Sequence, residues 1–284
     1  MKSRTDISPL SLLMKRVDAV ADGAPAPDTI TTGFPSVDKL LGGGMRRGDL
    51  IVLGGDVGVG KSALALAIAI RACQYGRRVA FLTGEMSIER VLERALAIEG
   101  RARIDDMRGG TLDEATRAAM GAAALKLRER MPEIAHLPRG GGEPLAEFLR
   151  SVVEVDLAVI DSLQSIPDGM RSQDEDLAST LRRLKSVAVD SEIAILLTAQ
   201  LPAHRADRRD PRPTLDDFGA LGGVKHHADV VLGLFREEQY QPDRAAEGAT
   251  ELSILKNRNG VTSYVDLYFY KQWLRFEDMI EPDR

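Results

Sequence analysis

The chain has little of what several classes of protein depend on. Its 284 residues include one cysteine, Cys73, so no disulfide and no cysteine-based metal site can form within the chain. The longest apolar run, residues 63–70, is far shorter than the roughly 20 residues that cross a bilayer. The first residues lack the apolar core of a signal peptide. We therefore expect a cytoplasmic protein in a reducing compartment, without a membrane partner.

The chain also has fewer basic than acidic residues, and few aromatic ones. Lysine and arginine number 38 against 43 acidic residues, which gives a formal net charge of −5, and aromatic residues make up 5% of the chain. This balance excludes a uniformly basic surface that coats nucleic acid. A local basic patch along a channel remains compatible with it, because net charge averages over the whole surface.

The apolar segments predict one large α/β domain. Predicted strands and helices alternate, which indicates parallel strands joined by right-handed crossovers and a mostly parallel central sheet flanked by helices. The predicted strands span residues 50–54, 79–83, 157–160, 193–198, 228–235, 251–255, 265–270 and 274–276. The predicted helices span residues 61–75, 87–99, 111–130 and 177–189, with Ser87 as one N-cap and a capping box opening at Thr111.

A short amphipathic helix is predicted ahead of this domain. Leu10, Leu13, Met14 and Val17 recur at helical spacing within residues 7–20. A stretch rich in Gly, Pro and Asp follows and is typical of a linker. We therefore divide the chain into a helix and linker at 1–30 and a main domain at 31–284. The apolar face needs cover, either from its own domain or from a neighbouring subunit.

The segment from Gly55 to Ser62 carries the clearest chemical signal in the chain. It matches the pattern G-x-x-x-x-G-K-S between a predicted strand and a predicted helix, which is the context of a phosphate-binding P-loop. Its backbone N–H groups and the helix N-terminus would face phosphate oxygens. The predicted nucleotide-binding residues are Gly55, Asp56, Val57, Gly58, Val59, Gly60, Lys61, Ser62 and Ala63.

Three polar residues follow other predicted strands at the same edge of the sheet. Asp161 ends one strand and is the expected partner of Ser62 in holding Mg²⁺, since ligands of such sheets lie beyond the carboxyl ends of strands. Glu85 follows the strand after the P-loop helix and is the candidate for polarising a water molecule. Gln200 follows a later strand, where an amide could sense the γ-phosphate. The expected cofactors are ATP and Mg²⁺.

Together these segments resemble the motor domain of DnaB-type replicative helicases, with a relation to RadA/Sms proteins. The resemblance rests on TTGFPSVDKLLGGGMRRGDLIVL at 31–53, GEMS at 84–87, LAVIDSLQSI at 157–166, LLTAQL at 196–201 and LKNRNG at 255–260. It implies a RecA-like fold that hydrolyses ATP at the interfaces of a hexameric ring or a filament. It also implies that Glu85 is the catalytic glutamate, Gln200 the sensor, and the 7–20 helix a docking helix.

The segment at 255–260 resembles the family's arginine-finger segment. Lys256 and Arg258 are two apart at a strand end, so both project to one side and could clamp a phosphate. The resemblance implies that they reach the ATP bound by the adjacent subunit. A solvated basic turn is the alternative, because Asn259-Gly260 is typical of a hairpin turn.

An arginine-rich loop follows Gln200. It is the candidate DNA contact, which would weaken with salt because it rests on phosphates. Composition alone favours a solvated loop of balanced charge, whereas its position and the resemblance favour DNA. The residues concerned are Arg205, Arg208, Arg209 and Arg212.

These observations predict an ATP-dependent DnaB-like helicase or single-stranded DNA translocase that assembles with copies of itself. Single-stranded DNA and a loader or regulatory protein are the further expected partners. The alternative is a regulatory or scaffolding ATPase that switches a protein partner without unwinding DNA. The acidic composition favours it, as does the segment FGALGG at 218–223, which replaces a charged run of the family's channel loop.

Overall fold

Helices and strands alternate along most of the chain. The computed structural model describes residues 8–23, 26, 28–152, 154–166, 172–201, 208, 210–241 and 246–279. Its helices are α1 (Pro9–Ala21), α2 (Pro35–Leu40), α3 (Lys61–Gln74), α4 (Ile88–Gly100), α5 (Ile104–Gly109), α6 (Glu114–Glu129), α7 (Gly142–Ser151), α8 (Gln173–Asp190) and α9 (Gly223–His227). Its strands are β1 (Thr29–Ile30), β2 (Met45–Arg46), β3 (Leu50–Gly55), β4 (Val79–Thr83), β5 (Glu133–His136), β6 (Leu157–Asp161), β7 (Ala194–Gln200), β8 (Val230–Phe235), β9 (Ala249–Asn257), β10 (Tyr264–Tyr270) and β11 (Arg275–Asp278).

One large sheet forms the centre of the described residues. Its strand order is β11-β10-β9-β8-β3-β7-β6-β4-β5. The six strands from β8 to β5 are parallel, and β9, β10 and β11 continue the sheet in antiparallel pairs. The prediction of a mostly parallel sheet is therefore confirmed. The carboxyl ends of β3, β4, β6 and β7 consequently meet at one edge.

Helices cover both faces of this sheet and bury two apolar clusters. On one face α3 is buried along ten of its residues, because small and branched apolar side chains surround nearly its whole circumference. On the other face α7 and α8 pack against β6 and β7 through Leu145, Leu181 and Leu184. Burial of both faces explains why the central strands are continuous apolar runs rather than alternating ones.

The predicted start of α6 was wrong. The helix begins at Glu114, and the carboxylate of Asp113 caps it by accepting a hydrogen bond from the backbone of Thr116 at 2.6 Å. Thr111 instead closes α5, since its backbone N–H and its hydroxyl both donate to Asp106. A threonine engaged in ending one helix cannot open the next.

Other boundaries differ where the local pattern is weak. α8 begins at Gln173, with Ser172 as its N-cap, four residues before the predicted start. The first turn is acidic and shows no apolar periodicity, so the sequence pattern did not reveal it. α7 begins at Gly142, where the sequence indicated only a loop. The short edge strand β5 has no fully buried residue and was not predicted. Ser87 caps α4 as predicted.

α1 has the predicted helical form, with Ser8 as its N-cap. None of its residues is buried, and Leu10, Leu13, Met14 and Val17 are 51–67% exposed. Its apolar face is therefore not covered by the described residues of its own chain. Among those residues, moreover, no helix combines the length and the apolar character needed to cross a membrane.

Gly54, near the end of β3, packs against the segment that contains Phe218. The ring of Phe218 lies so close that a Cβ at Gly54 would be 2.4 Å from it, and Leu201 would be 3.2 Å away. Phe218 is buried, although it belongs to the segment in which this chain departs from the family's charged run. That segment is therefore anchored directly behind the P-loop strand.

We predict that Gly54→Ala lowers the free energy of unfolding by about 1–3 kcal/mol, because the ring must move within a packed core. The matched control is Gly121→Ala in α6, where an added Cβ meets no atom within 4 Å among the described residues. That control should stabilise the protein by about 0.5–1 kcal/mol. Urea denaturation of both variants measures the difference, and equal effects of the same sign would contradict the packing argument.

Candidate functional site

The carboxyl ends of the parallel strands enclose a cleft of about 430 Å³. Nine of the residues predicted to bind the nucleotide, the metal ion or the attacking water, or to sense the γ-phosphate, border it. They are Val57, Gly58, Gly60, Lys61, Ser62, Ala63, Glu85, Asp161 and Gln200. The sheet topology thus brings together residues that are spread over more than half of the chain.

The P-loop connects β3 to α3 and requires glycine at its turn. Gly58 and Gly60 have φ angles of +76° and +110°, in the left-handed region that favours glycine. A Cβ at Gly60 would also lie 2.9 Å from the ring of Phe276. Val59, between them, has a buried side chain, so only its backbone could face a phosphate. The loop therefore has the form that lets main-chain N–H groups surround an anion.

Lys61 lies across the loop that precedes it. Its ammonium group donates to the carbonyl oxygens of Gly55 at 3.0 Å and Asp56 at 2.8 Å. Burial lowers the pKa of Lys61, and the nearby carboxylates of Asp161, Asp56 and Glu85 act in the opposite direction. A desolvated cation at this position is a strong attraction for phosphate oxygens.

Asp161 ends β6 and faces the first turn of α3. Its Oδ1 accepts hydrogen bonds from the Ser62 hydroxyl at 3.1 Å and the Thr198 hydroxyl at 2.5 Å. Its Oδ2 is buried and has no hydrogen-bond partner among the described residues. Burial raises the pKa of Asp161, while the hydroxyl groups of Thr198 and Ser62 and the charge of Arg94 act in the opposite direction. An unpartnered oxygen beside a serine hydroxyl fits Mg²⁺, which prefers oxygen ligands.

Glu85 lies two residues beyond β4, on the opposite side of the cleft from the P-loop. One of its carboxylate oxygens accepts a hydrogen bond from the Ser162 hydroxyl at 2.6 Å. Ser162 directly follows Asp161, so a single strand end supports both acids. The remaining oxygen of Glu85 is the one that could orient a water molecule.

Gln200 ends β7 at the rim of the cleft. The side chain of Gln164 holds its backbone on both sides: Gln200 N–H donates to Gln164 Oε1 at 2.9 Å, and Gln164 Nε2 donates to the Gln200 carbonyl at 3.0 Å. This arrangement fixes the main chain and leaves the Gln200 amide side chain to border the cleft.

Arg94 is a cleft residue that the sequence reasoning missed. It projects from α4 towards Asp161 and Glu85, and burial lowers its pKa against their opposing influence. A signal was present, because Arg94 lies three residues after Val91 and four before Ile98, on the apolar face of the helix. The other missed lining residues are Ser162, Thr198, Arg236, Phe269, Lys271 and Leu274.

Asp56 connects the P-loop to Tyr240, beyond the end of β8. Its carboxylate accepts a hydrogen bond from the Tyr240 hydroxyl at 2.9 Å, so its side chain turns away from the cleft. The Tyr240 ring stacks on Phe235, with centroids 5.4 Å apart, and thereby ties the loop to the end of β8.

Lys256 and Arg258 lie at the opposite edge of the sheet. The end of β9 pairs with the beginning of β8, since Asn257 is opposite Val230. The Lys256 ammonium donates to the carbonyl oxygens of Lys225 and Ala228, and Arg258 forms an ion pair with Asp229 at 3.1 Å. Neither cation can reach the cleft of its own chain. Asn259 and Gly260 lie in the loop that joins the antiparallel strands β9 and β10, so the predicted hairpin turn is present, although neither residue has a positive φ.

The described arginines of the candidate DNA loop are already paired within the chain. Arg208 donates to both carboxylate oxygens of Asp217 at 2.7 and 2.9 Å, and Arg212 donates to Glu251 at 2.9 Å. A DNA phosphate would have to replace these carboxylates. Arg205 and Arg209 lie outside the described residues.

A parallel sheet with a P-loop and a facing acid defines the class of P-loop nucleotide-binding proteins. Within that class, residues 29–278 match the family model described as DnaB-like helicase C terminal domain. The chain belongs to this family, as the sequence motifs predicted.

The sequence relatives are replicative helicases. The chain is 30% identical over 260 residues to the replicative DNA helicase DnaC of Bacillus subtilis, covering 88% of this chain and 56% of that protein. It is 29% identical over 257 residues to the replicative DNA helicase DnaB of Geobacillus stearothermophilus, with the same coverage of 88% and 56%. The chain therefore spans about half the length of the curated relatives that it matches.

Solved structures confirm the predicted RecA-like architecture. A DnaB-like replicative helicase, described with its interactions with primase, superimposes with a TM-score of 0.86 at 19% identity, over 98% of this chain and 68% of that chain. A separately solved ATPase domain gives 0.86 at 20% identity, over 97% of this chain and 100% of that domain. A KaiC-like protein from Pyrococcus horikoshii gives 0.63 at 18% identity, over 89% and 100%.

Asp49, just before β3, has a raised pKa that should make the stability of the fold depend on pH. Burial and the neighbouring Asp229 raise its pKa to about 6, while Lys185, Arg46 and Arg258 act in the opposite direction. The folded protein thus binds this proton more tightly than the unfolded chain. Stability should therefore fall as pH rises from about 4 to about 6.

Replacing this carboxyl group by an amide removes that loss. We predict that Asp49→Asn unfolds at a higher temperature than the unmodified protein at pH 7.5. Its free energy of unfolding should be larger by about 1 kcal/mol, after allowance for the partial exposure of Asp49. The difference should vanish below about pH 4, where Asp49 is protonated in both the folded protein and the unfolded chain. Glu133→Gln, on the exposed strand β5, controls for the loss of one charge. Thermal unfolding at both pH values checks this, and a difference independent of pH would contradict it.

Proposed function

We propose that this chain is the ATP-hydrolysing motor of a DnaB-like helicase or single-stranded DNA translocase. The observation that carries the proposal is the cleft in which the P-loop, Asp161 and Glu85 meet, in a chain of this family. The motor would occupy residues 31–284, preceded by the helix and linker at 1–30.

ATP and Mg²⁺ fit the P-loop side of this cleft. Lys61 would exchange the carbonyl oxygens that it now contacts for the β- and γ-phosphates. The Ser62 hydroxyl and the unpartnered Oδ2 of Asp161 would hold the metal ion. Bound Mg²⁺ supplies positive charge that offsets the charge developing on the phosphates. The backbone of residues 55–63 would hold the remaining phosphate oxygens.

Glu85 is the proposed group that orients and polarises the attacking water. Ser162 fixes its orientation, and the water would approach the γ-phosphate in line with the bond that breaks. Gln200 would sense the γ-phosphate at the rim. Arg94 lines the same cleft close to Asp161 and Glu85, where its positive charge would balance theirs before the nucleotide binds.

Arg258 and Lys256 are proposed to act on the nucleotide of the adjacent subunit. They lie a full strand length from their own P-loop, so a role in hydrolysis requires a second copy of the chain. Their positive charge would stabilise the transition state of phosphoryl transfer. The active sites would then lie at the subunit interfaces of a ring, a hexamer in our proposal, or of a filament.

α1 supplies a second reason to propose self-assembly. Its exposed apolar residues have the i, i+3, i+4, i+7 spacing of a helix that binds in a groove. We propose that the neighbouring subunit covers it, with Leu10, Leu13, Met14 and Val17 as the contacts.

Single-stranded DNA is the proposed substrate of the motor. The named relatives are replicative DNA helicases, and the arginine loop follows the sensor strand directly. Arg205, Arg208, Arg209 and Arg212 remain the proposed contacts, and a loader or regulatory protein remains a proposed partner. A cytoplasmic location belongs to the same proposal, which the single buried cysteine supports.

Glu85→Gln should lower kcat for ATP hydrolysis by about 10²-fold or more, because the amide cannot accept the proton of the water. Binding of a fluorescent ATP analogue should persist, since the P-loop is unchanged. Glu89→Gln, at the exposed start of α4, is the matched control and should keep its kcat. Phosphate release and nucleotide binding are measured together, and a parallel loss of both in Glu85→Gln would contradict the assigned role.

Single-stranded DNA should stimulate ATP hydrolysis, and the stimulation should decline with salt because it depends on phosphate contacts. Arg258→Ala should lower hydrolysis by about 10³-fold with or without DNA and leave a measurable residual rate, while size-exclusion chromatography still detects the assembly. Hydrolysis that is indifferent to DNA at every salt concentration would contradict the motor and leave the regulatory ATPase as the better account.

A further inference from the structure

Asp229 is a buried carboxylate at the edge of the sheet opposite the nucleotide cleft. Its side chain is 2% exposed, and its Oδ2 accepts from the backbone of Leu50 at 2.9 Å and from the Lys185 ammonium at 2.6 Å. Its Oδ1 lies 3.1 Å from Nη1 of Arg258. The main chain adds a further link, because Arg258 N–H donates to the Asp229 carbonyl at 2.9 Å. Arg258 is thus attached to one residue by backbone and side chain together.

The attachment leaves much of the guanidinium accessible. The Arg258 side chain is 49% exposed, whereas the carboxylate that holds Nη1 is desolvated. A guanidinium carries five N–H donors in a rigid plane, so an ion pair through one nitrogen fixes the orientation of the others. Lys256 is held in the same region by the carbonyl oxygen of Ala228, directly before Asp229.

We propose that Asp229 is a positioning residue that presets Arg258 for the nucleotide of the neighbouring subunit. This inference rests on the proposed function, in which Arg258 acts across the interface. A long side chain that is held in advance loses less entropy when it meets a phosphate, so stabilisation of the transition state is larger. Asp229 would therefore affect turnover without touching ATP.

A purely structural role predicts a different pattern. Asp229 also bonds to Leu50, at the start of the strand that leads to the P-loop of its own chain. If that contact were its only contribution, a change at Asp229 would impair nucleotide binding within the same chain, and no neighbour could correct it.

The first test is Asp229→Asn in the full chain, with steady-state ATP hydrolysis as the readout. We expect kcat to fall at least tenfold while KM and binding of a fluorescent ATP analogue stay unchanged. Arg258→Ala together with Asp229→Asn should be no slower than Arg258→Ala alone, because both changes remove the same contribution. Unchanged turnover, or losses that multiply, would overturn the proposal.

The second test uses mixed assemblies. Lys61→Ala subunits cannot hydrolyse ATP but keep an intact Asp229 and Arg258. Mixed in equal amounts with Asp229→Asn subunits, they should restore hydrolysis at about half of the Asp229→Asn sites, those with an intact neighbour on the correct side. Absence of restoration would overturn the proposal, since the defect would then lie within the chain that carries the nucleotide.

Two further variants separate positioning from folding. Lys185→Met removes the other cation and leaves the pair with Arg258, so it should retain its kcat. If Asp229→Asn fails to fold, the combination with Lys185→Met restores charge balance without restoring the ion pair, and it takes the place of Asp229→Asn in both tests. A loss of turnover in Lys185→Met equal to that of Asp229→Asn would show a packing effect and contradict the proposal.

The variants also distinguish failure of the inference from failure of the proposed function. If Arg258→Ala hydrolyses ATP at the normal rate, the proposed role of Arg258 across the interface is wrong, and the inference fails with it. If Arg258→Ala is strongly impaired and Asp229→Asn is normal, only the inference is wrong.

Discussion

The parallel pairing of β3 with β7 on one side and β8 on the other sets the position of the functional groups. Gly55 is level with Gln200 across one ladder, so the P-loop begins where β7 ends. Thr83 is level with Asp161 further along the sheet, which places Glu85 just beyond the acid proposed to bind the metal ion. The same registers align Ile51 with Val230 at the other edge. One strand length, roughly 15–20 Å, therefore separates the two chemical regions of a single chain.

Much of this arrangement is predictable because it depends on local sequence. The P-loop pattern carries its own context, a strand before it and a helix after it, and the glycines at its turn are required by backbone geometry. Asp161, Glu85 and Gln200 were found because each follows a buried apolar run, and parallel strands bring their carboxyl ends together. The resemblance to the family's motifs then showed the order in which these segments follow one another. The match of residues 29–278 to the family model of the DnaB-like helicase C terminal domain agrees with that resemblance.

The rest depends on contacts between distant parts of the chain. Thr198 looks like an ordinary strand residue until β7 lies beside β6 and its hydroxyl meets Asp161. Asp229 looks like a common strand-flanking acid, and only the sheet order shows that Lys185 and Arg258 converge on it. No local pattern contains these pairings, because each joins residues that are far apart in sequence.

The exposure of α1 has a consequence for the solution behaviour of the chain. A helix of 13 residues with no buried side chain is marginal in water by itself, since nucleation is costly and its own hydrogen bonds barely offset the lost entropy. The described residues of the chain do not supply the cover that would stabilise its helical form, and the proposed neighbouring subunit would. Under the proposed assembly, far-ultraviolet circular dichroism would accordingly vary with protein concentration, because dilution would separate the copies and let this segment unwind while the α/β domain stays folded.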